Sequence, residues 1–431
     1  MRILLVLLVL AATACGRPSS SEPYNPAPAP AAASNSFKPI PDAPQRDLFD
    51  LARRLRGVEG VPLPESLLYA TEPSKSSRTF RGLDINGPHF FEFEAVVEHI
   101  SENAVWYFPI DAALNRSQLT QVAHEFETLI MPTVLESFAP NLVLPGRIAI
   151  VHGEFPGLGG YFNSSDSLPI DVYPNSNQRV GLFLNMGIDL DSIAYLGTLS
   201  HELQHLVHWH VDQTEEVWIQ EGLAELAAKS LGYTSLPPHP YTEQPNIALR
   251  EWPSEPGEAL PHYAAASLFA QYLHDRLGPK GITTLVSEPL DGIHGIESVL
   301  LNLSIVSNFK DLYSDWLVAN VISDPNPPYD YEPKSKVRVE RVLTQPGLHE
   351  AEVHQMGVWY LGIRPEKPLD IRFEGNGRTP LLPVRPYSGE TCWWSNRGNA
   401  IDSTLTRAFD LTAVDSATLG FRGWWDIEEH W

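Results

Sequence analysis

The segment His201-Glu202-Leu203-Gln204-His205 decides how this sequence is interpreted. The two histidines stand four residues apart, so on an α-helix they share one face about one turn apart. Two imidazoles at that spacing can bind one metal ion, and Glu202 beside the first of them can reach a water at the metal. The segment is therefore a candidate metal centre that carries its own general base.

The residues around this segment have the period of an amphipathic helix. At about 100° per residue the apolar positions fall on one arc, and His201 and His205 lie opposite that arc. The apolar positions are Ile193, Leu196, Leu199, Leu203, Leu206 and Val207. We expect a helix that is capped by Asp189 or Asp191 and that turns both histidines toward a cleft or another lobe.

A hydrolytic zinc site needs three protein ligands and one open position. His208 lies about 10 Å along the helix axis from His201. Because side chains spread that far along one helix cannot converge on one ion, we interpret His208 as a residue of the cleft wall or as one that supports the ligands from behind. The position where metzincins carry a further histidine is Val211. Glu221 remains as the third candidate ligand.

A second helix that carries Glu221 is predicted for residues 214–231. Thr214 can cap its start, and Gly232 suits its end. Glu225 lies four residues beyond Glu221 on the same face, where it can accept the second N–H of a ligand histidine. The two carboxylates could also form a solvated acidic face, but beside the histidine pair we favour the ligand interpretation.

His201-Glu202-x-x-His205 followed by Trp218-Ile219-Gln220-Glu221-Gly222-Leu223-Ala224 resembles the gluzincin branch of zinc metallopeptidases. The sequence is most similar to bacterial secreted neutral metalloproteases of the hyicolysin type, over about residues 104–324. The resemblance implies one catalytic Zn²⁺ bound by His201, His205 and Glu221. It also implies that Glu202 is the general base and that Glu225 supports a ligand from behind.

In several gluzincins a tyrosine soon after the Glu ligand helps to hold the charged carbonyl oxygen. By this resemblance Tyr263 is the candidate and His262 the alternative, in the first turn of a helix predicted for residues 262–277. An aromatic residue on that helix can equally belong to the core. The sequence lacks the Gly-x-Met-Glu segment with which gluzincin aminopeptidases bind a free N-terminus, so the resemblance favours an endopeptidase.

The predicted fold class is α+β, a zincin-like metalloprotease domain followed by an incomplete all-β sandwich. Strands are predicted at 90–100, 103–108, 147–151 and 180–185, and further helices at 45–56, 117–138 and 307–321. In gluzincin-like folds the strand nearest the cleft binds extended substrate backbone. We expect residues 147–151 or 180–185 to be that strand, and residues 157–177 to form a loop at the cleft rim.

The domain boundaries follow from shifts in composition. Residues 1–15 are predicted to be an export signal, and Ala12-Thr13-Ala14-Cys15-Gly16 resembles a bacterial lipobox in which Cys15 is lipidated. Ordinary cleavage near Ala14 is the alternative. Residues 16–44 form a disordered tether, residues 45–78 a short helical or linker segment, and residues 79–335 the peptidase domain.

Residues 336–431 are predicted to be all-β. Cys392-Trp393-Trp394-Ser395 and Trp424-Trp425-Asp426 resemble the β-sandwich that follows the protease in immune-inhibitor-A-like metallopeptidases. Strands are predicted at 357–362, 369–374, 379–384, 391–395, 404–411 and 417–427. The resemblance implies a sandwich that continues beyond Trp431. The paired tryptophans could alternatively bind glycans.

Composition limits the partners. The chain has 431 residues, of which 43% are hydrophobic and 19% charged, so it is globular, and its net charge of −23 argues against nucleic-acid binding. We expect a monomeric, extracellular or surface-anchored bacterial protein with a protein or peptide substrate and membrane contact only through the lipid. The sequence does not decide whether Ca²⁺ also binds. The rival functions are a surface adhesion lipoprotein with an inactive zincin scaffold, and a peptidase that acts on its own cell envelope.

Overall fold

The protein is described by a computed structural model that covers residues 43–425, except for 88, 234–235, 254–255, 306–307, 323, 332–336, 366, 377–379, 381, 397 and 399. The predicted signal, almost all of the tether, Cys15 and Trp431 lie outside these residues. Among the helices that the structure describes, none is long and apolar enough to cross a membrane.

Six strands form one mixed sheet in the order β1-β2-β3-β4-β6-β5. They are β1 Ser77–Asp84, β2 His89–Ile100, β3 Ala104–Pro109, β4 Ile148–Gly153, β5 Gly160–Phe162 and β6 Gly181–Asn185. The first three strands are antiparallel, β3, β4 and β6 are parallel, and β5 closes the edge antiparallel to β6. The four strands predicted before the zinc motif are thus confirmed.

The central strands are buried on both faces, as the apolar run of residues 148–151 requires. Trp106 and Ile150 face the larger core beneath the helices, whereas Val105 and Tyr107 face a smaller core on the opposite side of the sheet. This alternation follows from the two-residue period of a strand. The sheet therefore forms a rigid platform for the helices of the candidate site.

Ten helices accompany the sheet in the described residues. They are α1 Leu48–Arg56, α2 Glu65–Leu68, α3 Arg116–Glu125, α4 Met131–Phe138, α5 Ile193–Val211, α6 Val217–Ser230, α7 His239–Glu243, α8 Pro256–Val286, α9 Gly292–Asn302 and α10 Phe309–Ala319. The helix predicted for 117–138 contains a π-helical turn, Phe126–Ile130, between α3 and α4. This wider turn directly precedes Pro132, which lacks the N–H that a regular helix would use there. Gly278 breaks α8 where the predicted helix ends.

The β-sandwich predicted for residues 336–431 is not confirmed. Beyond residue 336, the described residues contain only β7 Arg341–Leu343 and β8 Leu361–Ile363, which pair in parallel. The predicted strands from 369 onward are irregular backbone wherever the structure describes them. Among the aromatic residues on which that prediction rested, Trp393 and Trp425 are 84% and 72% exposed, so the described residues leave these two side chains uncovered. The α+β class is consistent with the mixed sheet and its helices.

Candidate metal centre

Helix α5 supplies both histidines. Leu199, Leu203 and Leu206 are fully buried against the sheet, as the apolar period predicts. Ser192 caps the helix, because its hydroxyl accepts the backbone N–H of Tyr195 at 3.1 Å. The predicted caps Asp189 and Asp191 are therefore wrong. Asp191 instead accepts the Gln118 side-chain amide at 3.0 Å, a contact with α3 that local sequence does not reveal.

Helix α6 supplies Glu221 and begins at Val217, three residues later than predicted. Thr214 does not cap it, since the Thr214 hydroxyl lies 2.9 Å from carboxylate oxygens of both Asp212 and Asp291. Gly222 follows Glu221 at a close approach to α8: a Cβ there would lie 2.7 Å from the backbone oxygen of Ala266. The absence of a side chain at Gly222 lets α6 pack closely on α8.

The imidazoles of His201 and His205 and the carboxylate of Glu221 converge on one point. The two Nε2 atoms are 3.1 Å apart, and Glu221 Oε2 lies 3.2 Å from His201 Nε2 and 3.5 Å from His205 Nε2. Ligand atoms at about 2.0–2.1 Å from a zinc ion, at the tetrahedral angle, lie about 3.3 Å apart. Within the described residues, these three form the His, Cys and acidic cluster with the spacing of a metal site. The donor set therefore fits a tetrahedral divalent cation.

Glu225 lies behind His201, with its Oε1 atom 3.1 Å from His201 Nδ1. Burial alone would lower the pKa of His201, but hydrogen bonds to Glu221 and Glu225 raise that pKa well above its ordinary value. Burial conversely opposes ionisation of Glu221, yet the charges and hydrogen bonds of both histidines hold its pKa well below the ordinary value. The buried Glu221 carboxylate is thus held in its negatively charged form beside the two imidazoles.

Glu202 is buried on the side of α5 that faces the edge strand β5. Its side chain is 7% exposed, and burial raises its pKa. The backbone of Phe162 in β5 lies near this carboxylate and partly offsets the rise in its pKa. Glu202 is therefore held between the metal-binding helix and the sheet edge, in surroundings that make it a stronger base than an exposed carboxylate.

Tyr263 lies beside two of the candidate ligands, His201 and Glu221. The Tyr263 ring centroid is 6.5 Å from that of His201, and hydrogen bonding to Glu221 adds to the burial that raises the pKa of its hydroxyl. His262 packs against Trp252, with ring centroids 5.8 Å apart, and burial lowers its pKa. Because α8 begins at Pro256, Tyr263 lies two turns into the helix and not in its first turn.

His208 is not part of an exposed cleft wall, so the first of its two predicted roles is wrong, and a supporting role behind the ligands stays a prediction. It is 2% exposed, burial lowers its pKa to about 4, and neither ring nitrogen has a hydrogen-bond partner among the described residues. Its position one turn beyond Gln204 places it on a buried face of α5, where packing excludes solvent.

The prediction of the substrate-binding strand is wrong. Residues 147–151 and 180–185 form β4 and β6, and both are paired on two sides within the sheet. The edge strand is β5, which comes from the segment predicted to be a loop. Three residues that follow Gly159 are too few to show a strand period, so the apolar pair Tyr161-Phe162 was the only signal available.

Neither a protein-family model nor a curated protein matches this sequence. Among solved structures, the chain is similar to aminopeptidase A of Legionella pneumophila in complex with aspartic acid, with 11% identity and a TM-score of 0.32. The match covers 56% of this chain and 28% of that one. So distant a likeness does not assign a fold family, and the site must be interpreted from its own geometry.

Proposed function

We propose that this protein is an exported, zinc-dependent endopeptidase of the gluzincin type. One observation carries the proposal: two imidazole nitrogens and a carboxylate oxygen lie 3.1–3.5 Å from each other, with a second carboxylate, Glu202, on the residue after His201. The tetrahedral spacing favours zinc among divalent metals. Two histidines, a third ligand and an adjacent buried base form an arrangement that can hydrolyse a peptide bond through a metal-activated water.

The residues then have the following roles. His201, His205 and Glu221 bind the ion, and Glu225 fixes the His201 ring so that Nε2 presents its lone pair. When bound, the ion would supply Lewis acidity that makes a water more acidic and polarises the scissile carbonyl. Glu202 accepts the proton of the attacking water at a carboxylate oxygen and donates it to the leaving amine. The Tyr263 hydroxyl donates a hydrogen bond to the carbonyl oxygen as negative charge develops there.

Substrate backbone can add to the free side of β5. An extended peptide placed beside Gly160–Phe162 would continue the sheet, a common mode of peptide recognition. Because the backbone of Phe162 lies near Glu202, a peptide added at this edge would lie close to the proposed base. We further propose that the protein acts outside the cell, either released after Ala14 or anchored through Cys15, as a monomer.

The decisive experiment compares wild type with Glu202→Gln. We expect the variant to retain one zinc ion per chain and to lose casein hydrolysis by roughly 10²–10⁴-fold, because the amide cannot accept the proton. Glu136→Gln, which changes an exposed carboxylate on α4, is the matched control and should cleave like wild type. Removal of zinc by a chelator should abolish wild-type activity, and zinc should restore it.

The outcomes separate the rival functions. Casein cleavage by Glu202→Gln at the wild-type rate would refute the assignment of the base. A wild-type protein that binds zinc and cleaves no peptide would favour a surface adhesion lipoprotein with an inactive scaffold. Profiling cleavage sites across a proteome would distinguish endopeptidase from exopeptidase action, and digestion of the producer's own envelope proteins would identify an envelope peptidase.

A further inference from the structure

Residues 246–252, which we call the strap, lie between α7 and α8 in the chain and contact the candidate site through Trp252. Its last residue, Trp252, packs edge-to-face on Tyr263, with centroids 4.8 Å apart and planes at 77°. Tyr263 also approaches His201, with ring centroids 6.5 Å apart. The residues that follow Tyr263 on α8 are Ala264, Ala265 and Ala266. In the described part of the chain, the rings that contact Tyr263 are therefore those of Trp252 and a candidate metal ligand.

The strap is fastened at both ends. Asn246 accepts the backbone N–H of His354 at 2.8 Å and donates to the Glu352 carbonyl at 3.0 Å. Near the other end, Arg250 Nε donates at 2.8 Å to Glu216, which directly precedes α6. The strap that carries Trp252 is thus held by the N-cap residue of α6, the helix that carries Glu221, and by the segment after residue 350.

Tyr263 needs such support because its hydroxyl must lie at a defined point. A phenol ring can turn about two side-chain bonds, so a contact that favours one orientation decides where its hydroxyl lies. Aromatic rings prefer edge-to-face contact at this centroid distance, so the Trp252 indole favours one orientation of the Tyr263 ring. That orientation places the hydroxyl beside Glu221.

We propose that Trp252 is a positioning residue, whose indole fixes the Tyr263 ring so that its hydroxyl meets the substrate carbonyl. The inference rests on the proposed function, since it assigns Trp252 a role in that reaction. Trp252 acts only through Tyr263. Its loss therefore lowers kcat more than it raises KM, and has no effect once the Tyr263 hydroxyl is gone.

A double-mutant cycle tests this claim. We expect Trp252→Leu to lower kcat roughly three- to tenfold, Tyr263→Phe to lower kcat by roughly 10²-fold, and Trp252→Phe, which keeps a ring, to retain most activity. In the Tyr263→Phe background, Trp252→Leu should change kcat by less than about twofold. An equal loss in both backgrounds would overturn the proposal, as would a loss confined to KM. Trp359→Leu, at a half-buried indole elsewhere, should leave kcat unchanged.

A second readout does not depend on turnover. In a crystal structure of zinc-loaded Trp252→Leu, we expect the Tyr263 hydroxyl to have left Glu221 while the three ligands keep their places. A Tyr263 ring in its wild-type orientation would refute the positioning role. If Trp252→Leu does not fold, Trp252→Met removes the ring with less loss of volume and carries the same expectations. A zinc-loaded wild type without activity would refute the proposed function, whereas the crystal structures would still decide the ring contact.

Discussion

The contact between Glu225 and His201 predicts the zinc affinity of the protein. The two side chains are 14% and 13% exposed and 3.1 Å apart, so water hardly competes for the hydrogen bond. In Glu225→Ala, the His201 ring loses the acceptor that fixes its tautomer and its rotation. Removal of such a partner weakens metal binding about 10- to 100-fold, which corresponds to about 1.4–2.7 kcal/mol. Glu225→Gln keeps an acceptor without the charge, so its loss should fall at the lower end of that range.

Zinc affinity is measured by competition with a chromophoric chelator at neutral pH. Glu258→Ala, which removes an exposed carboxylate from the first turn of α8, controls for the change in net charge. We expect this control to bind zinc as wild type does, and His201→Ala to bind far more weakly than Glu225→Ala. Wild-type affinity in Glu225→Ala, or an equal loss in Glu258→Ala, would refute the reasoning from the hydrogen bond.

Two further predictions concern the elements that support the site. Gly222→Ala places a Cβ 2.7 Å from the Ala266 oxygen. Urea unfolding should show that the free energy of unfolding falls by roughly 1–3 kcal/mol. An unchanged free energy of unfolding would mean that α6 and α8 can move apart to accept the methyl group. Burial raises the pKa of Glu215 from 4.5 to about 8, so the folded state keeps a proton that the unfolded chain releases, and the free energy of unfolding falls as pH rises between those values. Glu215→Gln should remove this slope and add at most about 3 kcal/mol at pH 7; an unchanged slope would contradict the assignment.

The parts that sequence predicts well are those with a period or a run long enough to measure. The leucines of α5 recur over about three turns, and the apolar runs of β4 and β6 lie within two residues of their predicted bounds. The convergence of His201, His205 and Glu221 also follows from sequence, because helical spacing places the histidines together and distance along the axis excludes His208. These inferences need only local geometry.

The parts that sequence predicts poorly depend on distant partners. The side chains of Asp189, Asp191 and Ser192 can all cap a helix. Ser192 is the cap in the structure, whereas the Asp191 carboxylate binds Gln118 of another helix. The Thr214 hydroxyl likewise donates a hydrogen bond to Asp291 and does not cap α6. β5 exists because its three residues pair with β6. In each case a tertiary contact selects one of several locally acceptable conformations.

The position of the first turn of α6 depends both on local sequence and on distant contacts. One residue of slippage at that start would turn Glu221 by about 100° and remove its carboxylate from the histidines. The start is held by contacts from elsewhere: Glu215 accepts the Gly292 N–H at 2.7 Å, and Glu216 accepts from Arg250 and from the Trp218 indole at 2.8 and 2.6 Å. Two short sequence motifs supply the candidate metal ligands, but residues outside both motifs hold those ligands in place. Its integrity depends on the strap and on the start of α9 as much as on the ligands themselves.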